Sequence, residues 1–94
     1  MSQKTVVVNC RRDDYDIFIG RPSIWGNPFR IGRHGTRVEV IEMYRQYLIE
    51  HPYLLKLARE QLTGMILGCY CKPAMCHGDV LVELMQMQMQ EDEE

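Results

Sequence analysis

Residues 21–35 place two prolines and three glycines within fifteen positions, too many breakers for a helix or a continuous strand. A long irregular segment is therefore built into a chain of 94 residues, which has room for one core. The regular elements must lie on either side of it. In a compact domain, an ordered loop of this length is commonly where function sits.

Ahead of the loop, Thr5-Val6-Val7-Val8-Asn9-Cys10 is β-branched and reads as a buried strand, stopped by the charged turn Arg11-Arg12-Asp13-Asp14. Tyr15-Asp16-Ile17-Phe18-Ile19 reads as a second, shorter strand ending at Gly20. After the loop, Thr36 and Glu39 have capping-box spacing, and Val38, Ile41, Tyr44 and Leu48 recur at three- and four-residue steps, which predicts a helix over residues 37–50. Pro52 suits the first turn of another helix, whose stripe of Leu54, Leu55, Ala58 and Leu62 is closed by Gly64. The apolar run over residues 65–71 is short enough for a buried strand. A last helix from about His77 turns Val80, Leu81, Leu84 and Met85 inward, and the alternating Met and Gln of residues 85–90 reads as its fraying end. The order β-β-α-α-β-α predicts an α/β fold. Residues 1–90 form a single small domain with a short, mainly parallel sheet packed with helices, followed by an acidic C-terminal tail over residues 91–94.

Eleven Lys and Arg against thirteen Asp and Glu give a net charge of −2, unlike the usual nucleic-acid binder. The balance is uneven: residues 1–35 hold six basic and three acidic side chains (+3), and residues 36–94 hold five and ten (−5). The basic half is suited to face an anion. No apolar run approaches the roughly 20 residues of a membrane span, and no basic-then-apolar leader opens the sequence, so no membrane association and a cytoplasmic location are expected. In that setting the four cysteines are expected to be reduced.

Three of them, Cys69, Cys71 and Cys76, crowd together with His77 and Asp79 where a strand runs through a loop into a helix. Such junctions favour anions, because unpaired N–H groups and the helix dipole point at the loop. Alternation puts Cys69 and Cys71 on one face of the strand, with Tyr70 opposite. Three readings stay open. A cysteine at a helix N-terminus beside an imidazole favours its thiolate, a nucleophile or the wall of an anion site, with Cys71, Cys76, His77 and Asp79 as catalytic candidates. Cys69, Cys71, Cys76 and His77 would also make a Cys₃His set for zinc, which is not favoured because C-x-C-x₄-C-H lacks the familiar C-x₂-C knuckle. In the third, the cysteines fill the core while His77 and Asp79 serve the first helical turn.

The loop supplies a second constellation, Gly20-Arg21-Pro22-Ser23-Ile24-Trp25-Gly26-Asn27-Pro28-Phe29. The single tryptophan beside a tight Gly-Asn-Pro turn, flanked by Arg21 and Arg30, is what clamping a base would use, or else it packs the loop to the core. Arg21, Ser23, Trp25, Gly26, Asn27 and Gly78 are the ligand-binding candidates. Asp79 is expected to turn outward or meet a ribose, with Gly78 leaving the backbone open to a ligand.

Together, Gly20-Arg21-Pro22-Ser23, Trp25-Gly26-Asn27-Pro28-Phe29, Gly35-Thr36-Arg37, and Gly68-Cys69-Tyr70-Cys71 with Pro73 and Cys76-His77-Gly78-Asp79 resemble a family of small uncharacterised domains of bacteriophages and bacteria, catalogued as a domain of unknown function. The resemblance spans about residues 5–85 and leaves Cys10 outside its motifs. Residues 69–79 are also similar to a second uncharacterised group whose helix opens with Cys-His-Arg, where this chain has Gly78 in place of the arginine.

The function expected is that of a small nucleotide-directed domain, binding or acting on a nucleotide, a nucleotide-derived signal or a nucleic-acid end. Its partner would be a small phosphorylated ligand, held where the loop and the cysteine junction converge on one pocket. The alternatives are a phage interaction protein that inhibits or redirects a host macromolecule, such as a host protein, and a zinc-stabilised module that binds nucleic acid.

Overall fold

The computed structural model describes residues 4–92, with side chains through residue 87. Three strands, β1 (Val6–Asn9), β2 (Ile17–Phe18) and β3 (Ile66–Cys69), and three helices, α1 (Arg37–Glu50), α2 (Pro52–Leu62) and α3 (His77–Asp92), follow the expected order. The strands form one parallel sheet in the order β1-β3-β2. Register runs from Val6 opposite Ile66 to Asn9 opposite Cys69, and on the other side Phe18 lies opposite Gly68. The three strands therefore end level, and the segments after β2 and β3 leave from the same edge.

The central strand is the most deeply buried, as a parallel strand covered on both faces must be: Leu67 and Cys69 are almost wholly shielded. β2 is shorter than its apolar sequence suggests. At its start Asp16 uses both backbone and side chain on Ile66, donating its N–H to the Ile66 carbonyl at 2.7 Å and accepting the Ile66 N–H on Oδ2 at 2.8 Å. A carboxylate thereby takes the place of a ladder carbonyl. Residues 10–14 turn as expected, with Arg12 and Asp13 both donating to the Asn9 carbonyl.

α1 opens on a full capping box: Thr36 Oγ1 accepts the Glu39 N–H, and Glu39 Oε1 accepts the Thr36 N–H at 2.8 Å. Its buried face is Val40, Ile41, Tyr44 and Leu48. Val38, expected on that face, is 58% exposed. At about 100° per residue it stands roughly 120° around the helix from Tyr44, and Val40 takes the place against the core. α2 buries Leu54, Leu55, Ala58 and Leu62. It is followed by Gly64 at φ 80°, a left-handed position that suits glycine, whose N–H donates to Thr5 Oγ1 at 2.8 Å and so ties the turn to the start of β1.

α3 packs against α1, α2 and β1 through Val80, Leu81, Leu84 and Met85. At Gly78 a Cβ would come within 2.7 Å of Ile19 Cδ1 and 3.1 Å of Val7 Cγ1, so the missing side chain is what lets the helix approach the sheet. Of the acidic run at the end, residues 91 and 92 belong to the helix backbone and residues 93–94 lie outside the described residues. Among the described residues no helix is long and apolar enough to cross a membrane.

Candidate functional site

The segment after β2 is held by its own polar side chains. Arg21 Nη1 donates to the Asn27 carbonyl at 2.9 Å, closing the turn, while Asn27 Oδ1 accepts the Phe29 N–H and Asn27 Nδ2 donates to the Val40 carbonyl of α1. Ser23 Oγ accepts the Trp25 N–H at 3.3 Å, and Tyr44 donates its hydroxyl proton to the Trp25 carbonyl at 2.7 Å. Gly26 lies so near Arg21 that a Cβ would meet the Arg21 nitrogen at 2.9 Å. Both this loop and the one after β3 contain a cis X-Pro bond, at Pro22 and Pro73.

The two loops enclose a cavity of about 480 Å³ at the carboxyl edge of the sheet, where α/β proteins place their ligands. Gly20, Arg21, Asn27, Phe29, Arg30 and Ile31 line it from the first loop, Arg37, Val40 and Ile41 from α1, and Cys69, Tyr70, Cys71, Met75 and His77 from the end of β3 onward. Three arginines and no acidic residue line the space among the described residues. Arg37 Nη1 also donates to the Met75 carbonyl at 3.1 Å, bracing the second loop against α1.

Cys69 and His77, which line the cavity, are buried together with Cys76, which does not reach it. His77 Nδ1 lies 3.9 Å from Cys69 Sγ and 3.7 Å from Cys76 Sγ. His77 Nε2 lies 2.8 Å from the Ile19 carbonyl, which can only accept, so the ring proton is assigned to Nε2 and the Nδ1 lone pair to the sulfurs. The Cys71 N–H points at Cys69 Sγ (3.5 Å) and the Gly78 N–H at Cys76 Sγ (3.3 Å). Hydrogen bonding from the Cys76 thiol, aided by the Cys71 N–H, holds Cys69 below the ordinary thiol range against the effect of burial. The same contact with Cys69, together with burial, pushes Cys76 up. Burial first, and then the neighbouring Cys69, raises Cys71, against the pull of Arg37. The three ligand atoms of Cys69, Cys76 and His77 lie within 4.8 Å of one another and could hold a metal ion. Cys71, the fourth member of the expected zinc set, lines the cavity outside this cluster.

Several site residues occupy places other than those expected. Trp25 is 4% exposed and belongs to the core, not to the cavity wall, because its large apolar surface gains most when withdrawn from water. Ser23 and Gly26 shape the loop and do not reach the cavity, whereas Arg21 and Asn27 do both. Asp79 does not line the cavity: its side chain, 41% exposed, accepts the Cys76 N–H on Oδ2 at 3.2 Å and pairs through Oδ1 with Lys72 Nζ at 2.7 Å. Gly78 is a packing residue, and the N–H groups of Cys76, Gly78 and Asp79 all have partners within the protein. The cationic residues that line the cavity are Arg21, Arg30 and Arg37. Arg37 was not among the site candidates. A cation at the first position of a helix opposes the dipole, and that mismatch was a readable sign of another role.

A family model described as a domain of unknown function (DUF4326) matches residues 4–87. The chain is 36% identical over 90 residues to an uncharacterised 12.4 kDa protein of the nrdA-td intergenic region of Enterobacteria phage T4, covering 92% of this chain and 82% of that protein. It is 27% identical over 104 residues to the uncharacterised protein R718 of Acanthamoeba polyphaga mimivirus, covering 92% and 75%. No solved structure matches it significantly.

Proposed function

The chain belongs to the DUF4326 family of unknown-function domains, and from the cavity that its two loops enclose we propose that it binds a small phosphorylated, nucleotide-like ligand. One observation carries this reading: Arg21, Arg30 and Arg37 converge on a single space with no carboxylate in its wall. Guanidinium groups are planar forks matched to phosphate oxygens, and two of the three are already fixed by backbone carbonyls, so ordering them costs little further entropy. The volume lies in the range of small-molecule sites, and Phe29, Ile31, Tyr70 and Met75 add apolar and aromatic surface for the uncharged part of a ligand.

Calorimetric titration with nucleoside mono-, di- and triphosphates, nucleosides and inorganic phosphate tests the proposal. Phosphorylated compounds should bind and nucleosides should not. Arg21→Ala should weaken binding by roughly 1–3 kcal/mol, and added salt should weaken it further. If the whole panel fails to bind at millimolar concentration, the proposal is wrong, and a host macromolecule becomes the partner to seek.

A further inference from the structure

Cys69, Cys76 and His77 are assembled as metal ligands are, and we infer that they form a binding site for a zinc-type divalent ion whose fourth coordination position opens into the cavity. The inference goes beyond the pocket reading and does not depend on it. In tetrahedral zinc sites the metal lies about 2.3 Å from sulfur and about 2.0–2.1 Å from nitrogen, which places neighbouring S and N ligand atoms roughly 3.5 Å apart. The two S···N separations in the protein, 3.9 and 3.7 Å, need shrink by only a few tenths of an ångström.

The surroundings match as well. A ligating histidine normally donates its other ring N–H to a carbonyl or carboxylate, and His77 has Nε2 against the Ile19 carbonyl. Each sulfur faces a backbone N–H, from Cys71 at 3.5 Å and Gly78 at 3.3 Å. Two thiolates and an imidazole select a borderline-soft transition metal over magnesium or calcium, and their two negative charges neutralise a divalent ion without help from the arginines.

The open position follows from where the ligands stand. Cys69 and His77 line the cavity, so the metal's free side faces it, and Cys71 lies outside the cluster. Three protein ligands with one exchangeable position is the arrangement of reactive zinc centres, whereas structural centres close all four. A metal here would join the end of β3 to the start of α3 and place a Lewis acid beside the arginines.

Cobalt(II) titration of the full-length, reduced protein is the test. The wild type should take up one ion per chain with thiolate-to-cobalt charge-transfer absorption and the d–d bands of tetrahedral coordination, and zinc should displace it. Azide should shift the d–d bands by entering the open position. Cys69→Ser, Cys76→Ser and His77→Asn should each weaken binding by more than about 100-fold, beyond the range typical for losing an outer-shell partner. Cys71→Ser, Arg21→Ala and Arg37→Ala should retain the bands. A wild-type protein without charge-transfer absorption overturns the assignment, and because that reading needs no variant it stands even if a ligand substitution unfolds the chain. Loss of the bands in Cys71→Ser, or bands indifferent to azide, would overturn the open position.

Discussion

His77 Nε2 and the carbonyl of Ile19 meet at 2.8 Å, so the first residue of α3 and the residue after β2 are locked together. Ile19 is in turn held to the sheet by its own N–H, which donates to the Gly68 carbonyl at 2.9 Å. One imidazole thus fixes the relative placement of both loops, and the cavity between them is set by the core beneath it.

Gly78→Ala opposes two effects of known sign. Alanine is favoured over glycine in a helix by about 1 kcal/mol, whereas a methyl forced against Ile19 and Val7 costs about 1–3 kcal/mol. The side chains that it meets are buried or half-buried, so overpacking should prevail and urea denaturation should show a net loss of stability. A gain would mean that the helix can move away from the sheet freely.

Arg37→Ala should separate binding from stability. The residue stands at the unfavourable end of the α1 dipole, and its bond to the Met75 carbonyl is exposed. The melting temperature should therefore stay within a few degrees of the parent's, while phosphorylated ligands bind at least about tenfold more weakly, the factor that 1.4 kcal/mol represents. A large fall in melting temperature would make Arg37 a structural residue.

The capping box should be visible in acid. Bonds from the Thr36 backbone N–H and hydroxyl hold Glu39 below the usual carboxylate range. A carboxyl depressed in the folded state contributes stability that is fully present above its unfolded pKa, about 4.3, and is lost as pH falls through the folded value. The difference in urea midpoint between the parent and Glu39→Gln should therefore shrink below about pH 4. Thr36→Ala should cost about 1 kcal/mol at neutral pH.

Tyr44→Phe removes the hydroxyl that satisfies the Trp25 carbonyl in a buried setting, and should cost about 1–3 kcal/mol. Val38→Ala, on the same helix but exposed, should change stability by no more than about 0.5 kcal/mol. Chemical denaturation followed by the single tryptophan reports both.

What the sequence disclosed, it disclosed through periodicity and local chemistry. The buried faces of α2 and α3 and the Thr36–Glu39 cap were readable, because each depends on neighbours within a few residues. The roles of Trp25 and Asp79 were not. Whether an indole faces a ligand or the core depends on Tyr44, and whether a carboxylate turns outward depends on Lys72 and the Cys76 N–H; no pattern within the loop fixes these partners. The metal-competent cluster was only partly legible: spacing grouped four candidate ligands, and geometry brings three of them together.

The place of β3 between β1 and β2 also governs when the sheet can exist. Val6 pairs with Ile66 and Phe18 with Gly68, so each ladder closes a loop of about fifty to sixty residues, and the two earlier strands have no partner in each other. During synthesis α1 and α2 can form from local contacts, but both strands must wait unpaired until β3, Ile66–Cys69, has emerged. The sheet then assembles in a single late step, and the cavity at its edge forms with it.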